Sequence, residues 1–147
     1  MIGVYAVRRA LIDALAAKTV TGQPLEGWTV EYSAPSNLGL KCIYGGGIRF
    51  DHTPTVAEPN VLIDETATMA LYLRAVARPP ATVRDTDTLV EAGAAALTAV
   101  LVATPNLGGG VSWQGMSGGQ GDYWTTDDEV GSTLALSVVL GKRVTYV

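Results

Sequence analysis

The first regular pattern along the chain is a stripe of apolar residues near the N-terminus. Apolar side chains recur at steps of three and four residues from Val4 to Leu15, while Arg8 and Arg9 lie off this stripe. The period is that of an amphipathic helix, and it predicts one over about residues 2–18. The glycine and proline that follow disfavour its continuation.

A second stripe of helical period lies in the middle of the chain, ahead of a proline. Its members are Val90, Ala94, Leu97 and Leu101. Thr88 and Glu91 have the spacing of a capping box, and Asp85 or Thr86 could cap a slightly earlier start. The pattern predicts a helix over about residues 86–103. Because this run is nearly apolar all round, we expect burial on more than one side.

Alternation of apolar and polar positions predicts the strands. It is clearest over residues 66–77 and 132–147. In the first of these, one face would carry Met69, Leu71, Leu73 and Ala75. Shorter alternating segments at 27–35 and 38–44 predict two more strands, the second an antiparallel partner of the first. Residues 45–60 show little periodicity, and we expect them to be irregular.

The glycine-rich stretch WQGMSGGQGDYWTTDDEVGS, residues 113–132, is interpreted as a hairpin with a flexible tip. Four large side chains flank the tip: Trp113, Met116, Tyr123 and Trp124. Such residues favour recognition surfaces, so we expect them to contact other subunits. The alternative is that the two tryptophans cap the core of the sheet. The acidic residues that follow are expected to form a solvated turn: Asp127, Asp128 and Glu129.

The order helix, strands, helix, strands predicts an α+β fold. We expect a single two-layer domain over residues 1–147, a mixed, mostly antiparallel sheet with two helices on one face and a Gly-rich hairpin.

Composition narrows the function classes. A chain of 147 residues with 48% hydrophobic content can bury a core. Its formal charge of −4 argues against general nucleic-acid binding, which needs a basic face. The one cysteine, Cys42, allows no internal disulfide and is expected to be a buried structural thiol.

Candidate catalytic and metal residues are few. His52 is the one histidine, which excludes a site with two histidines within one chain. Ser117 is the central residue of a segment that matches the nucleophile-elbow motif G-x-S-x-G, yet no helix is predicted after it. The acidic triplet lacks the ligand spacing of a calcium loop. We expect no catalytic, metal or cofactor site. A competing hypothesis is a small enzyme or ligand-binding domain that uses Asp51, His52 and the acidic triplet around a metal.

The order of elements resembles that of the tail terminator (tail completion) proteins of long-tailed, siphovirus-like bacteriophages. Four segments carry the resemblance, which spans nearly the full chain: VYAVRRALIDALAA, TATMALYLRAVA, TLVEAGAAALTAVLVA and STLALSVVLGKRV. It implies a structural virion protein of the neck and no enzyme. The family forms rings, usually hexamers, that cap the head-proximal end of the tail tube and dock the head connector.

The resemblance also implies the partners: further copies of the chain, the tail-tube protein, and a connector or stopper protein. DNA would pass through the lumen without specific binding, so we expect a channel wall that is net acidic or neutral. Part of Asp127, Asp128 and Glu129 is expected on that wall. Another neck or tail component, such as a stopper or tail-tube protein, is the alternative within this class.

Overall fold

The structure, a computed structural model, describes residues 4–34, 36, 39–57, 60–107 and 111–146. The elements in chain order are α1 (Val4–Ala16), β1 (Thr29–Glu31), β2 (Lys41–Ala57), β3 (Asn60–Ala77), α2 (Val83–Ala103), β4 (Ser112–Thr125) and β5 (Val130–Tyr146). The five strands form one sheet in the order β1-β2-β3-β5-β4. Both helices pack on one face of it, which confirms the predicted α+β fold class.

The core lies between the helices and the middle of the sheet. Alternate residues of β3 are fully buried there, namely Met69, Leu71, Leu73 and Ala75, which confirms the predicted stripe. From α1, Leu11 and Leu15 contact this face, and α2 contributes Leu97 and Leu101. Each of the buried leucine and methionine side chains stabilises the fold by about 1.5–3 kcal/mol through burial. By length and composition alone α2 could span a membrane, but here its apolar stripe packs against the sheet.

The second helix begins three residues before the predicted start. Its capping box pairs Thr82 with Asp85, whose carboxylate accepts a hydrogen bond of 2.7 Å from the Thr82 backbone N–H. The prediction that Thr88 and Glu91 form this box is therefore wrong. Thr88 lies inside the helix, and its hydroxyl donates to the Arg84 carbonyl.

Two strand predictions in the first half are corrected. β1 pairs with β2 in parallel, with Val30 opposite Ile43, and not antiparallel as predicted. Residues 45–57 are not irregular but continue β2, paired with β3 along their length. The glycine run is accommodated by a register shift between Gly45 and Ile48. A bulge can absorb an extra residue without ending the strand, and local periodicity does not reveal it.

The predicted tip of the glycine-rich hairpin is also misplaced. Residues 112–125 form one strand, β4, which pairs antiparallel with β5 and lies at the edge of the sheet. Two register shifts, near Gly115 and Gly118, absorb part of the glycine content. The turn of the hairpin lies at residues 126–129 instead.

Candidate functional site

The four large side chains predicted to form one contact surface lie on two faces of the sheet. In the register of β4 and β5, Trp113 and Met116 stand opposite buried Leu140 and Val138, on the helix-covered face. Both are partly buried and pack against the core. The position of Trp113 fits the alternative interpretation, in which the two tryptophans cap the core, whereas Trp124 does not pack against that core.

Trp124 lies on the opposite face and is held by its own chain. Its indole N–H donates to a Glu129 carboxylate oxygen at 3.0 Å, and the Arg74 guanidinium lies 4.8 Å from the ring centroid. The ring also covers Gly131, where a Cβ would come within 2.1 Å of it. Intrachain contacts therefore account for the placement of Trp124.

Tyr123 is the one member of the four that the fold leaves open. It is 71% exposed and stands opposite Ser132 on the helix-covered face. Because consecutive strand residues point to opposite faces, Tyr123 and Trp124 cannot share a surface. The predicted contact with another subunit remains a prediction, and Tyr123 is the side chain available for it.

Tyr123 lines a groove between α2 and β4, which we call the acidic groove. Its volume is about 390 Å³. Val90, Ala94 and Leu134 supply apolar lining, and Asp87 and Glu91 stand one helical turn apart on α2. The groove stays open because Gly121, which faces Leu134 across the strands, has no side chain to fill it.

A buried cluster of oxygen atoms fixes one end of this groove. The Thr86 and Ser132 hydroxyls lie 2.7 Å apart and are both buried. The Ser132 hydroxyl donates its hydrogen to the Asp87 carboxylate, so the Thr86 hydroxyl supplies the hydrogen between the pair and shares it with the Val83 carbonyl. These bonds tie the first turns of α2 to β5 and set the position of Asp87 on the rim.

The acidic turn divides its carboxylates between two roles. The Thr126 hydroxyl accepts hydrogen bonds from the backbone N–H groups of Asp128 and Glu129, which shapes the turn. Glu129 binds Trp124, whereas Asp127 and Asp128 are exposed beside a shallow depression that Arg78 also lines. Two of the three predicted acidic residues are thus free to face solvent or a partner.

The face of the sheet opposite the helices, which we call the bare face, mixes aromatic, small and polar side chains. Tyr44 and Tyr72 stack there with ring centroids 5.2 Å apart. The register places seven charged positions on it: Glu31, Arg49, Asp51, Asp64, Arg74, Asp122 and Arg143. Three arginines against four carboxylates give a formal charge of −1.

The residues of the competing metal-site hypothesis are far apart. Asp51 pairs with Thr66, while the acidic turn lies beside Ala77, eleven residues further along β3. Because a strand rises about 3.3 Å per residue, eleven residues span about 36 Å. Among the residues that the structure describes, no group of three His, Cys, Asp or Glu residues could hold a metal ion. The proposed combination of Asp51 with the triplet has no geometric support.

Neither candidate nucleophile lies in a catalytic arrangement. Ser117 is exposed at a bulge of β4, with no helix after it, so the nucleophile elbow is not formed. Three strand spacings, about 14 Å, separate β4 from the backbone of His52 on β2. Cys42 is fully buried, as predicted, and burial, with a smaller contribution from the Glu31 carboxylate, raises the pKa of its thiol.

Sequence reasoning missed the acidic groove and the buried oxygen cluster. The groove joins residues about thirty positions apart, so no local pattern marks it, although the alternating glycines at 119 and 121 are a usable signal. On a strand, such glycines leave one face without side chains. Sequence reasoning also missed the burial of Glu65, which is 2% exposed.

No protein-family model matches this chain, and no curated protein matches it significantly.

Proposed function

We propose that this chain is a structural virion protein that forms a ring, a hexamer, at the head-proximal end of a bacteriophage tail tube. In this function it stops polymerisation of the tube and docks the head connector. Its partners are further copies of itself, the tail-tube protein and a connector or stopper protein. It carries out no catalysis and needs no cofactor.

The observation that carries the proposal is the bare face of the sheet. Antiparallel sheets with one uncovered face normally present a strongly polar surface to water. This one carries a stacked tyrosine pair, alanines and hydroxyl side chains, with a formal charge of only −1. DNA slides freely past a wall of this kind, because no array of cations holds its phosphates.

Net charge supports the same function. Six copies at −4 carry a formal charge of −24, which repels DNA from the ring as a whole. Asp127 and Asp128 are exposed at the turn between β4 and β5, where they are available to the channel or its mouth.

Negative-stain imaging of the purified protein, alone and mixed with tail-tube subunits, tests the proposal. We expect a closed ring on one end of each tube and an arrest of tube growth. Long polymers formed by the protein alone would instead identify a tube protein. Tubes that grow unaffected and carry no ring would refute the proposal.

A further inference from the structure

The two ends of the strand order carry opposite chemistry. At the β4 end, Asp87 and Glu91 are exposed around the acidic groove, and Asp127 and Asp128 follow at the turn. Within the described chain, none of these four carboxylates forms a salt bridge. This end of the molecule therefore carries negative charge that no described residue neutralises through a salt bridge.

The β1 end carries arginines flanked by exposed aromatic rings. The Arg8 guanidinium lies 5.9 Å from the Tyr5 ring and 5.5 Å from the Tyr32 ring, and it donates to the Gly46 carbonyl at 2.8 Å. These contacts hold the guanidinium in place. Arg9 follows on α1, exposed and in no salt bridge with a described residue. We call Tyr5, Arg8, Arg9 and Tyr32 the basic patch.

The basic patch also exposes apolar surface. Two of the eight large hydrophobic residues exposed in the described chain belong to it, Tyr5 and Tyr32. Tyr5 is 65% exposed. Tyrosine and arginine together are the residue types that carry most binding energy in protein interfaces. A protein partner suits this patch.

From these two surfaces we infer that the basic patch of one copy docks in the acidic groove of the next copy. The inference rests on the proposed ring and identifies its subunit interface. Arg9 faces Glu91 and Asp87 of the neighbouring subunit, and Tyr5 packs beside Tyr123 at the mouth of the groove. Each copy therefore contacts one neighbour through its basic patch and the second neighbour through its acidic groove.

The position of the two surfaces decides the symmetry. β1 and β4 are the two edges of the sheet, four strand spacings or about 19 Å apart. A chain cannot join its own patch to its own groove over that distance, so the patch meets the groove of another copy. Because the two surfaces lie at opposite edges, one edge-to-edge contact leaves a groove free at one end of the pair and a patch free at the other. A head-to-tail contact between different surfaces repeats until it closes, which is how rings form.

Charge reversal tests the contact, with sedimentation equilibrium up to millimolar concentration as the measurement. R9E places like charge against the groove, and E91R places like charge against the patch. We expect each variant to keep its fold by circular dichroism and to weaken self-association at least about tenfold. R49E and D51R change the net charge by the same amounts on the bare face and should associate as the wild type does.

An equimolar mixture of R9E and E91R is the decisive sample. In alternating order every interface has opposite charges again, so the mixture should recover the mass of the wild-type assembly. A mixture that stays dissociated, or a wild type that does not self-associate at any concentration, overturns the inference. If the wild type still caps tubes in either case, the proposed function stands without this interface. Rescue without capping of tubes would refute the function and keep the interface.

Discussion

Tyr123 and Trp124 are neighbours on β4 with opposite roles, and replacing each by alanine separates them. Trp124 points to the bare face and is held by Glu129, Arg74 and Gly131, whereas Tyr123 is 71% exposed beside the acidic groove. We expect Trp124→Ala to lower the stability of the isolated protein. Tyr123→Ala should leave that stability nearly unchanged and weaken assembly.

The magnitude for Trp124 follows from its contacts. Partial burial of the indole against the sheet is worth about 2 kcal/mol at 25 cal/mol per Å². The stacked guanidinium adds about 0.5–1 kcal/mol, and the hydrogen bond to the carboxylate adds about 1 kcal/mol at a half-exposed site. The unfolded chain retains part of these contacts, so we expect a net loss of about 2–3 kcal/mol. In a domain of this size that lowers Tm by about 5–10 °C. For Tyr123→Ala the change should stay within about 0.5 kcal/mol.

Urea denaturation followed by circular dichroism measures the stability of both variants, and tube capping followed by negative-stain imaging measures assembly. The reasoning requires that the two variants lose different properties. If Tyr123→Ala were the destabilised variant, or if Trp124→Ala kept full stability and lost capping, the assignment of faces along β4 would be wrong.

Three further predictions concern the packing and the thiol. Gly93→Ala would place a Cβ 2.3 Å from the Trp28 ring, so we expect a loss of about 1–3 kcal/mol in urea denaturation, while Gly47→Ala, with open space around it, should be neutral. Ser132→Ala removes the hydroxyl that contacts both the Thr86 hydroxyl and the Asp87 carboxylate on α2, so the free energy of unfolding should fall by about 1–3 kcal/mol. An unchanged value would show that this cluster does not stabilise the fold. Burial raises the pKa of Cys42 above its ordinary 9.0, so above about pH 9 the folded state keeps a proton that the unfolded chain loses, and the free energy of unfolding should fall as pH rises. Cys42→Ala should remove that part of the fall, and an equal dependence of the free energy of unfolding on pH in both proteins would contradict the prediction.

The sequence predicts those features that depend on local periodicity. The stripe of β3 and the two helices are of this kind, because a buried face imposes its period on consecutive residues. The helix starts at Val83 because Thr82 and Asp85 form a second capping box ahead of Thr88 and Glu91. Competing boxes of the same type cannot be ranked from spacing alone.

The features that escaped prediction are long-range. Residues 45–57 become a strand because β3 offers a full-length partner, and no pattern within that segment signals such pairing. The glycines of β4 suggested a turn, but in an edge strand they instead leave the acidic groove open. Arg8 meets Gly46 through the packing of α1 on β2, which joins positions 38 residues apart. The basic patch could therefore not be defined before the fold.

A cryo-EM reconstruction of tail tubes capped with this protein tests the central claim most directly. We predict a closed ring of identical copies at one end of the tube, with the bare face of each sheet toward the channel. The basic patch of each copy should lie in the acidic groove of the next. A single copy at the tube end, or a ring whose channel is lined mainly by Arg and Lys, would contradict the account.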